Sequence, residues 1–439
     1  MNLFSTNRMK HIDGHKHPSQ DVEVRRLSPD QVPVVYFPLV NPKGQPLKVE
    51  VAEGDFVKVG TRIALREDMY VPVFSSVSGK VVANVEKFHP LTGRNVPHLA
   101  IENDGQYTKA EPLKTLTLDA TKEEIVTAIK EAGIVGLGGA GFPAFIKYNN
   151  VKDIDTILIN GVECEPFLTT DFVVMKEEAK RLLDGVTLLL KASGASKAIV
   201  AIKQGKKLVA DAIKEALVHY EAISLKEVPD AYPMGWERTL IWKVLGREYD
   251  MLPSQCHVIV NNAQTTIAIA RALFEGQPVV ERVMTVSGDV VKNPSNIIVP
   301  VGTPVQSILN QYEIDTRKPI NLLAGGPMTS NAVTNLDFVT LPQNGGFTVL
   351  KQVSYNEVAC LRCGACTANC PASLQPVEIK IAVEGKDVAR IEKLNAMKCI
   401  ECGLCSYVCP SRIEVTEFMK KAKTILRVEA AKKAKVAGK

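Results

Sequence analysis

No stretch of this chain approaches the ~18 consecutive apolar residues that a membrane-crossing helix needs; runs such as Val186 to Leu190 are far too short. The chain is therefore expected to be soluble, or held at a membrane by partners. Aromatic residues make up 6% of the sequence and do not interleave with the basic ones, which argues against nucleic-acid binding. The N-terminus does not read as a signal peptide, so a disulfide framework of the secreted kind is not expected. Positive charge is scarcer than the formal +5 suggests. From Lys420 onward eight Lys or Arg and one Glu carry +7, which leaves the body at −2. That basic tail, residues 420–439, reads either as a solvated helix end or as a docking element for an acidic partner or an anionic surface.

Cysteine is abundant, but in one place only. Of ten cysteines, eight lie in two runs near the C-terminus. Cys360, Cys363, Cys366 and Cys370 read C-x2-C-x2-C-x3-C-P, and Cys399, Cys402, Cys405 and Cys409 repeat the pattern 39 residues later, each run closed by a proline. This is the spacing with which thiolates hold [4Fe–4S] clusters, and in paired runs the fourth cysteine of each serves the other cluster. The expected sets are Cys360, Cys363, Cys366 and Cys409 for the first cluster, and Cys399, Cys402, Cys405 and Cys370 for the second. Zinc would favour two C-x2-C pairs and leave cysteines over. Two clusters make the chain an electron carrier without saying from what to what.

At 439 residues the length fits about three domains of ~150 residues. Residues 1–30 are polar, with His11, His15 and His17 close to Asp13; they read as a flexible lead-in, a metal site being the alternative. Between Tyr36 and Glu102, apolar alternation punctuated by Gly54 and Gly60 marks short strands joined by tight turns. Thr121-Lys122-Glu123-Glu124 is a capping box opening an amphipathic helix that stops at Gly133. Five glycines then fall within Gly133 to Gly141. Such a loop lets backbone N–H groups approach an anion, and Lys147 can add charge. It follows a helix, so it fails the context test for a dinucleotide fingerprint, and it lacks the P-loop lysine pattern. Short strands at 156–159, 198–202 and 258–260 alternate with helices at about 172–191, 206–219 and 264–274, which argues for a parallel α/β sheet. Two of these strands end in polar residues, Asn160-Gly161-Val162-Glu163-Cys164-Glu165 and Asn261-Asn262, where open α/β sheets bind ligands.

Taken together, the glycine loop, N-x-x-E-x-E-P, Y-x-x-G-x-E at Tyr232 to Glu237, and N-N resemble the flavin-bearing, NADH-oxidising subunit of respiratory complex I. With the two ferredoxin runs, the chain more closely resembles the RnfC family, the C subunits of the Rnf-type ion-translocating ferredoxin:NAD oxidoreductases. The resemblance implies a multidomain α/β architecture. Its parts would be a lead-in (1–30) and a biotinyl/lipoyl-like β barrel-sandwich without a carrier lysine (31–112). A Rossmann-like FMN/NAD domain (113–278), a β-grasp domain with connector (279–350), a mainly α-helical two-cluster ferredoxin domain (351–419) and the basic tail would follow. It implies FMN phosphate and ribityl contacts at Gly136, Gly138, Gly139, Gly141 and Lys147, and a flavin pocket lined by Asn160, Glu163, Asn261 and Asn262. Phe142, Glu165, Tyr232 and Glu237 would lie near NAD(H). Where complex I has an arginine in the glycine loop, this chain has Leu137; its acidic residue before the glutamate is Val162. Cys164 reads as a small buried residue.

The implied activity is electron transfer between NAD(H), FMN, two [4Fe–4S] clusters and the other subunits of a membrane electron-transport complex, with ferredoxin reached indirectly. The implied place is peripheral, on the cytoplasmic face of the cell membrane. The alternatives are a soluble flavin/iron–sulfur reductase resembling cobalamin reductase, and a cluster-wiring scaffold without nucleotide chemistry.

Overall fold

The computed structural model describes residues 9–437 other than Asn331. Residues 1–8 of the expected lead-in, and 438–439 of the basic tail, lie outside the described residues.

The centre of the molecule is the α/β unit. Its helix Lys122–Glu131 starts where the capping box places it: the Thr121 hydroxyl accepts from Glu124 N at 3.2 Å, and Thr121 N donates to the Glu124 carboxylate at 2.9 Å. Ile125 and Ile129 form its buried stripe. The sheet has four parallel strands in the order Ile223–Val228, Lys197–Lys203, Thr156–Gly161, Val258–Asn262. From the strand Thr156–Gly161 the chain winds first to one side and finally to the other, so strand order reverses between Thr156–Gly161 and Val258–Asn262. A crevice at the carboxyl ends of such neighbours is where open parallel sheets hold ligands.

Two elements here were not expected from the sequence, the edge strand Ile223–Val228 and the helix Glu237–Leu245. The helix expected over about 172–191 is two helices, Thr170–Glu177 and Ala179–Ser193, broken at Glu178 with φ −120° and ψ 33°.

The 34–103 region folds as two antiparallel sheets, one of four strands and one of three. It does not have a core to itself. Val35, Phe37, Ile63 and Ile101 pack in one cluster with Met284, Ile297, Phe347 and Val349 of a mixed sheet spanning 281–351. The first strand of that six-stranded sheet is Arg25–Arg26, paired in parallel with Ile297–Ile298. The described part of the lead-in, residues 9–30, is therefore not a flexible segment. Residues 10–27 cross the α/β unit as a strap, with Lys10 bridged to Tyr232, Phe167 N donating to Gly14 O at 2.7 Å, and Ser19 and Leu27 buried. His11 lies against Asp230 while His15 stacks on Phe167 at 4.7 Å, so these histidines diverge.

The C-terminal region is built of short helices and the long helix Val415–Ala437. Its sequence repeat is also a backbone repeat. Left-handed φ occurs at Arg362 and Glu401, at Gly364 and Gly403, and at Ser373 and Arg412, each pair 39 positions apart. Among the described residues no helix is long and apolar enough to cross a membrane.

Candidate functional site

A cavity of about 660 Å³ opens over the reversal point of the parallel sheet, within the size range of small-molecule sites. Asn160 and Asn262 form its floor at the two strand ends. The glycine loop supplies one wall. The loop is a closed hairpin, with Gly136 N donating to Phe142 O at 2.8 Å and Ala144 N to Ile134 O at 2.8 Å, and its tip, Leu137 to Gly139, faces the cavity. The far wall comes from Ala324 to Ser330 and Leu341 to Gly345 of the 281–351 region, and Phe88, Pro90 and Leu91 reach over the mouth.

Glycine is required at two points of this cradle. A β-carbon on Gly138 would lie 2.7 Å from Asn262 Nδ2, and one on Gly326 would lie 2.2 Å from Glu165 Oε2. By contrast nothing stands within 4 Å of a β-carbon built on Gly139, which faces open space. Asn262 caps the helix Ala263–Glu275, accepting from Gln264 N at 2.9 Å and Thr265 N at 3.2 Å.

The charged residues are buried or half-buried, and among them Lys16 and Glu163 form an ion pair. Glu163 accepts from Lys16 Nζ at 3.2 Å, Thr170 Oγ1 at 3.1 Å and Asp171 N at 2.9 Å. Asp171 accepts from Gln264 Nε2 at 2.6 Å and Asn262 Nδ2 at 3.2 Å. Burial, with Glu163 adding to it, pushes the Asp171 carboxyl up to about 6. Glu165 accepts from Met328 N at 3.1 Å and from the Thr329 hydroxyl, and burial raises it. Arg282 is 4% exposed; its Nη2 donates to Leu137 O at 3.3 Å and its Nε has no partner. Burial lowers it to about 10, opposed by the charge of Asp171. Burial likewise pushes the Cys164 thiol up to about 11 at the cavity edge.

Of the residues expected here, Gly138, Gly139, Asn160, Glu163, Glu165 and Asn262 line the cavity. The others do not. Lys147 is turned inward, donating to Val260 O at 2.7 Å, and burial lowers its pKa. Asn261 is buried with Nδ2 unpartnered, and Glu237 accepts from Tyr249 OH at 2.9 Å. Gly136 and Gly141 belong to the stem of the loop, and Phe142 is exposed outside it. Tyr232 points away, its hydroxyl donating to Cys402 O at 2.7 Å. Sequence reading missed Lys16, Asp171, Gln264 and Arg282. Only Asp171 left a trace, an acidic residue in the first turn of a helix, directly before the apolar run Phe172 to Met175.

A second cavity, of about 570 Å³, lies behind Leu137 and Gln264. Its Arg26, Arg181 and Arg271 are already matched by Glu281, Glu178 and Glu275.

The donor set suits a flavin nucleotide: an open glycine backbone, amide side chains at strand ends and a rigid hairpin. The thiols suit clusters. Burial raises Cys399, Cys402 and Cys405, and the charge of Cys370 from the other run adds to each rise, so these four are neighbours; together they line one small cavity. Val358 N donates to Ser411 O at 3.1 Å, which brings the Cys409 segment alongside Cys360. Backbone N–H groups already point at sulfur from Arg362, Leu374 and Glu401, at 3.4, 3.3 and 3.4 Å. Among the described residues no three His, Cys, Asp or Glu side chains converge on a single-ion site; a cubane bonds each sulfur to a different iron and takes a wider ring.

Three family models match the chain: the Nuo51 FMN-binding domain over residues 129–271, the RnfC barrel sandwich hybrid domain over 9–106, and a 4Fe-4S dicluster domain over 352–423. The chain is 33% identical over 390 residues to the C subunit of the proton-translocating ferredoxin:NAD(+) oxidoreductase complex of Clostridium ljungdahlii, covering 85% of this chain and 84% of the relative. It is 33% identical over 357 residues to the Na(+)-translocating counterpart of Acetobacterium woodii (79% and 80% covered). To the C subunit of the ion-translocating oxidoreductase complex of Rhodobacter capsulatus it is 32% identical over 406 residues (89% and 77%). Among solved structures, a chain of an NAD+-reducing [NiFe]-hydrogenase in the air-oxidized state superposes with a TM-score of 0.50 at 19% identity, covering 73% of this chain and 72% of that one, a likeness of fold.

Proposed function

The chain belongs to the RnfC family, the C subunits of ion-translocating ferredoxin:NAD(+) oxidoreductase complexes, and from that premise we propose how its parts divide the work. It is an oxidoreductase subunit that carries FMN and iron–sulfur clusters and moves electrons between NAD(H) and the other subunits of its complex. Membership over most of the chain decides against the soluble cobalamin-reductase-like alternative.

FMN, when bound, exchanges two electrons with a nicotinamide and single electrons with a cluster. The chain's residues bind, orient and connect. Gly138 and Gly139 would offer backbone to the flavin nucleotide, Asn160 and Asn262 would lie against it as the floor, and Glu163 and Glu165 would set the charge of the wall. Gly136 and Gly141 keep the loop in shape. Lys147, Asn261 and Glu237 support it from behind, and Phe142 stands available to an incoming nicotinamide nucleotide.

The observation that carries this reading is the junction at Tyr232. Cys164, at the cavity edge, and Tyr232 behind it pack in one cluster with Met328 and with Cys402 and Leu404 of the second cysteine run. A β-carbon on Gly403 would lie 2.4 Å from Met328 O, whereas the equivalent Gly364 has nothing within 4 Å. The second run is thus docked on the flavin unit, while Cys360 and Cys363 of the first are exposed. We assign Cys399, Cys402, Cys405 and Cys370 to an inner cluster that exchanges electrons with the flavin site. Cys360, Cys363, Cys366 and Cys409 then hold an outer cluster facing the partner subunits.

The 281–351 sheet is read as a β-grasp module, with domain limits at 31–112, 113–278, 279–350 and 351–419. By core sharing, the first and third of these act as one clamp on the flavin unit. The cytoplasmic face of the membrane is the side on which NAD(H) and ferredoxin meet such a subunit. The test is an anaerobic NADH titration of the chain loaded with FMN and clusters, following both absorbances. Bleaching of the flavin and then of the clusters is expected. No change in either, with both groups bound, overturns the nucleotide site and returns the chain to a wiring scaffold.

A further inference from the structure

Lys16 is a buried cation delivered to the cavity wall by a segment that belongs to no other part of the site. Its side chain is 6% exposed, its ammonium lies 3.2 Å from Glu163 Oε2, and it also donates to Leu168 O. The strap that carries it has anchors enough without it. Lys10 and Tyr232 exchange backbone hydrogen bonds of 3.2 and 2.7 Å, and Phe167 N reaches Gly14 O. Ser19 Oγ meets Thr169 Oγ1 at 3.0 Å, Asn296 Nδ2 donates to Ser19 O at 2.9 Å, and Arg25–Arg26 pair with Ile297–Ile298. A lysine ammonium is costly to bury unless a carboxylate meets it. Here that carboxylate is a lining residue of the cavity. The charge of Lys16 is also felt by Glu165 and Cys164, which line the same wall.

We propose that Lys16 is a positioning residue for the redox site: it aims the Glu163 carboxylate at the cavity and cancels its charge, so that the N-terminal strap sets how much negative charge faces the flavin. This rests on the reading that the cavity holds FMN. The groups that face Glu163 are few. From the strap comes Lys16; from the helix Thr170–Glu177 come Thr170 and Asp171; Lys206, from the turn after the strand Lys197–Lys203, acts on it through space, with Lys203 and Asp230 beyond. Arg282 stands on the far side of Asp171. With Lys16 removed, Glu163 and Asp171 become adjacent carboxylates with only distant cations, and like charges held this close favour taking up a proton.

The experiment uses the full chain with FMN and clusters, as wild type, Lys16→Met, Lys16→Arg and the double variant Lys16→Met/Glu163→Gln. FMN affinity is measured by fluorescence quenching, and the flavin midpoint potential is measured from pH 5.5 to 9, a range chosen to bracket neutral pH. In Lys16→Met the midpoint is expected to fall below wild type at high pH and to converge on it at low pH, adding a pH-dependent step. The step is expected to be absent from Lys16→Arg and from the double variant, where no carboxylate remains at position 163. The double variant removes both members of the Lys16–Glu163 pair together, so it carries the comparison with wild type if Lys16→Met alone fails to fold; a midpoint–pH line there with an added step overturns the proposal. Superimposable lines for wild type and Lys16→Met, with FMN bound to both, overturn it as well. Failure of wild type itself to bind FMN refutes the underlying flavin reading instead.

Discussion

Gly138→Ala isolates the cradle from everything else in the molecule. The new methyl carbon would sit 2.7 Å from Asn262 Nδ2 and 2.9 Å from its Cγ, closer than real contacts allow. The backbone at Gly138 is not in the left-handed region, so alanine brings no strain there and recovers about 0.4–1 kcal/mol through the unfolded chain. Asn262 must therefore yield. Moving it breaks the cap on the helix Ala263–Glu275, at about 1 kcal/mol, and the hydrogen bond to the Asp171 carboxylate, at about 1.5–3 kcal/mol. The net is a loss of about 1.5–3.6 kcal/mol from the α/β unit. FMN affinity is expected to fall about tenfold or more, since each 1.4 kcal/mol is one decade. Gly139→Ala is the internal control. Its methyl meets no protein atom within 4 Å and its backbone is not left-handed either, so flavin-free stability is expected to hold or rise by about 0.4–1 kcal/mol, while the group projects into the space assigned to FMN and weakens binding there. The assay pairs thermal melting of flavin-free protein with FMN titration by fluorescence quenching. Melting of Gly138→Ala at the wild-type temperature would refute the Asn262 contact, and wild-type FMN affinity in both variants would refute the cradle.

Three more outcomes follow from the same geometry. Tyr232→Phe removes the hydrogen bond to Cys402 O, worth about 1 kcal/mol; stopped-flow mixing with NADH should show flavin bleaching at its normal rate and cluster bleaching slowed, and equal slowing of both contradicts the junction's role. Cys370→Ala should cost the cluster held with Cys399, Cys402 and Cys405, leaving roughly half the iron; if the surviving electron paramagnetic resonance signal is instead that of the docked inner cluster, the crossed assignment fails. Asp171, with a folded value of about 6 against an ordinary 3.8, holds an extra proton in the folded state between those values. The stability that proton lends is full below about pH 4 and is lost as pH rises through about 6. Chemical denaturation across pH 4–7 should show Asp171→Asn with a flatter dependence than wild type, and parallel curves speak against a buried carboxyl.

The chemistry of this chain was written in its local spacing. A cubane ligand set needs cysteines two residues apart on a tight turn, and the repeat at Cys360 and Cys399 states that outright. A capping box needs Thr121 and Glu124 three residues apart, and the helix begins there. Strand ends rich in asparagine, Asn160 and Asn261-Asn262, pointed to the sheet edge over which the cavity opens. In each case the residues that act together are close in the chain, so their geometry follows from backbone periodicity.

Only the tertiary structure decided which groups the cavity receives from afar. Lys16 meets Glu163 across 147 positions and Arg282 meets Leu137 across 145; no periodicity links such residues, and their meeting depends on how a strap and a sheet pack on the α/β unit. The same holds for Lys147, whose sequence place beside the glycine loop suggested a phosphate contact. Burial turns its ammonium to the Val260 carbonyl instead. Tyr232 was legible as a motif residue but not as a contact of the second cysteine run, because that contact joins segments 170 positions apart. Glycine loop and cysteine runs were each readable alone. Their apposition is a property of packing between distant segments.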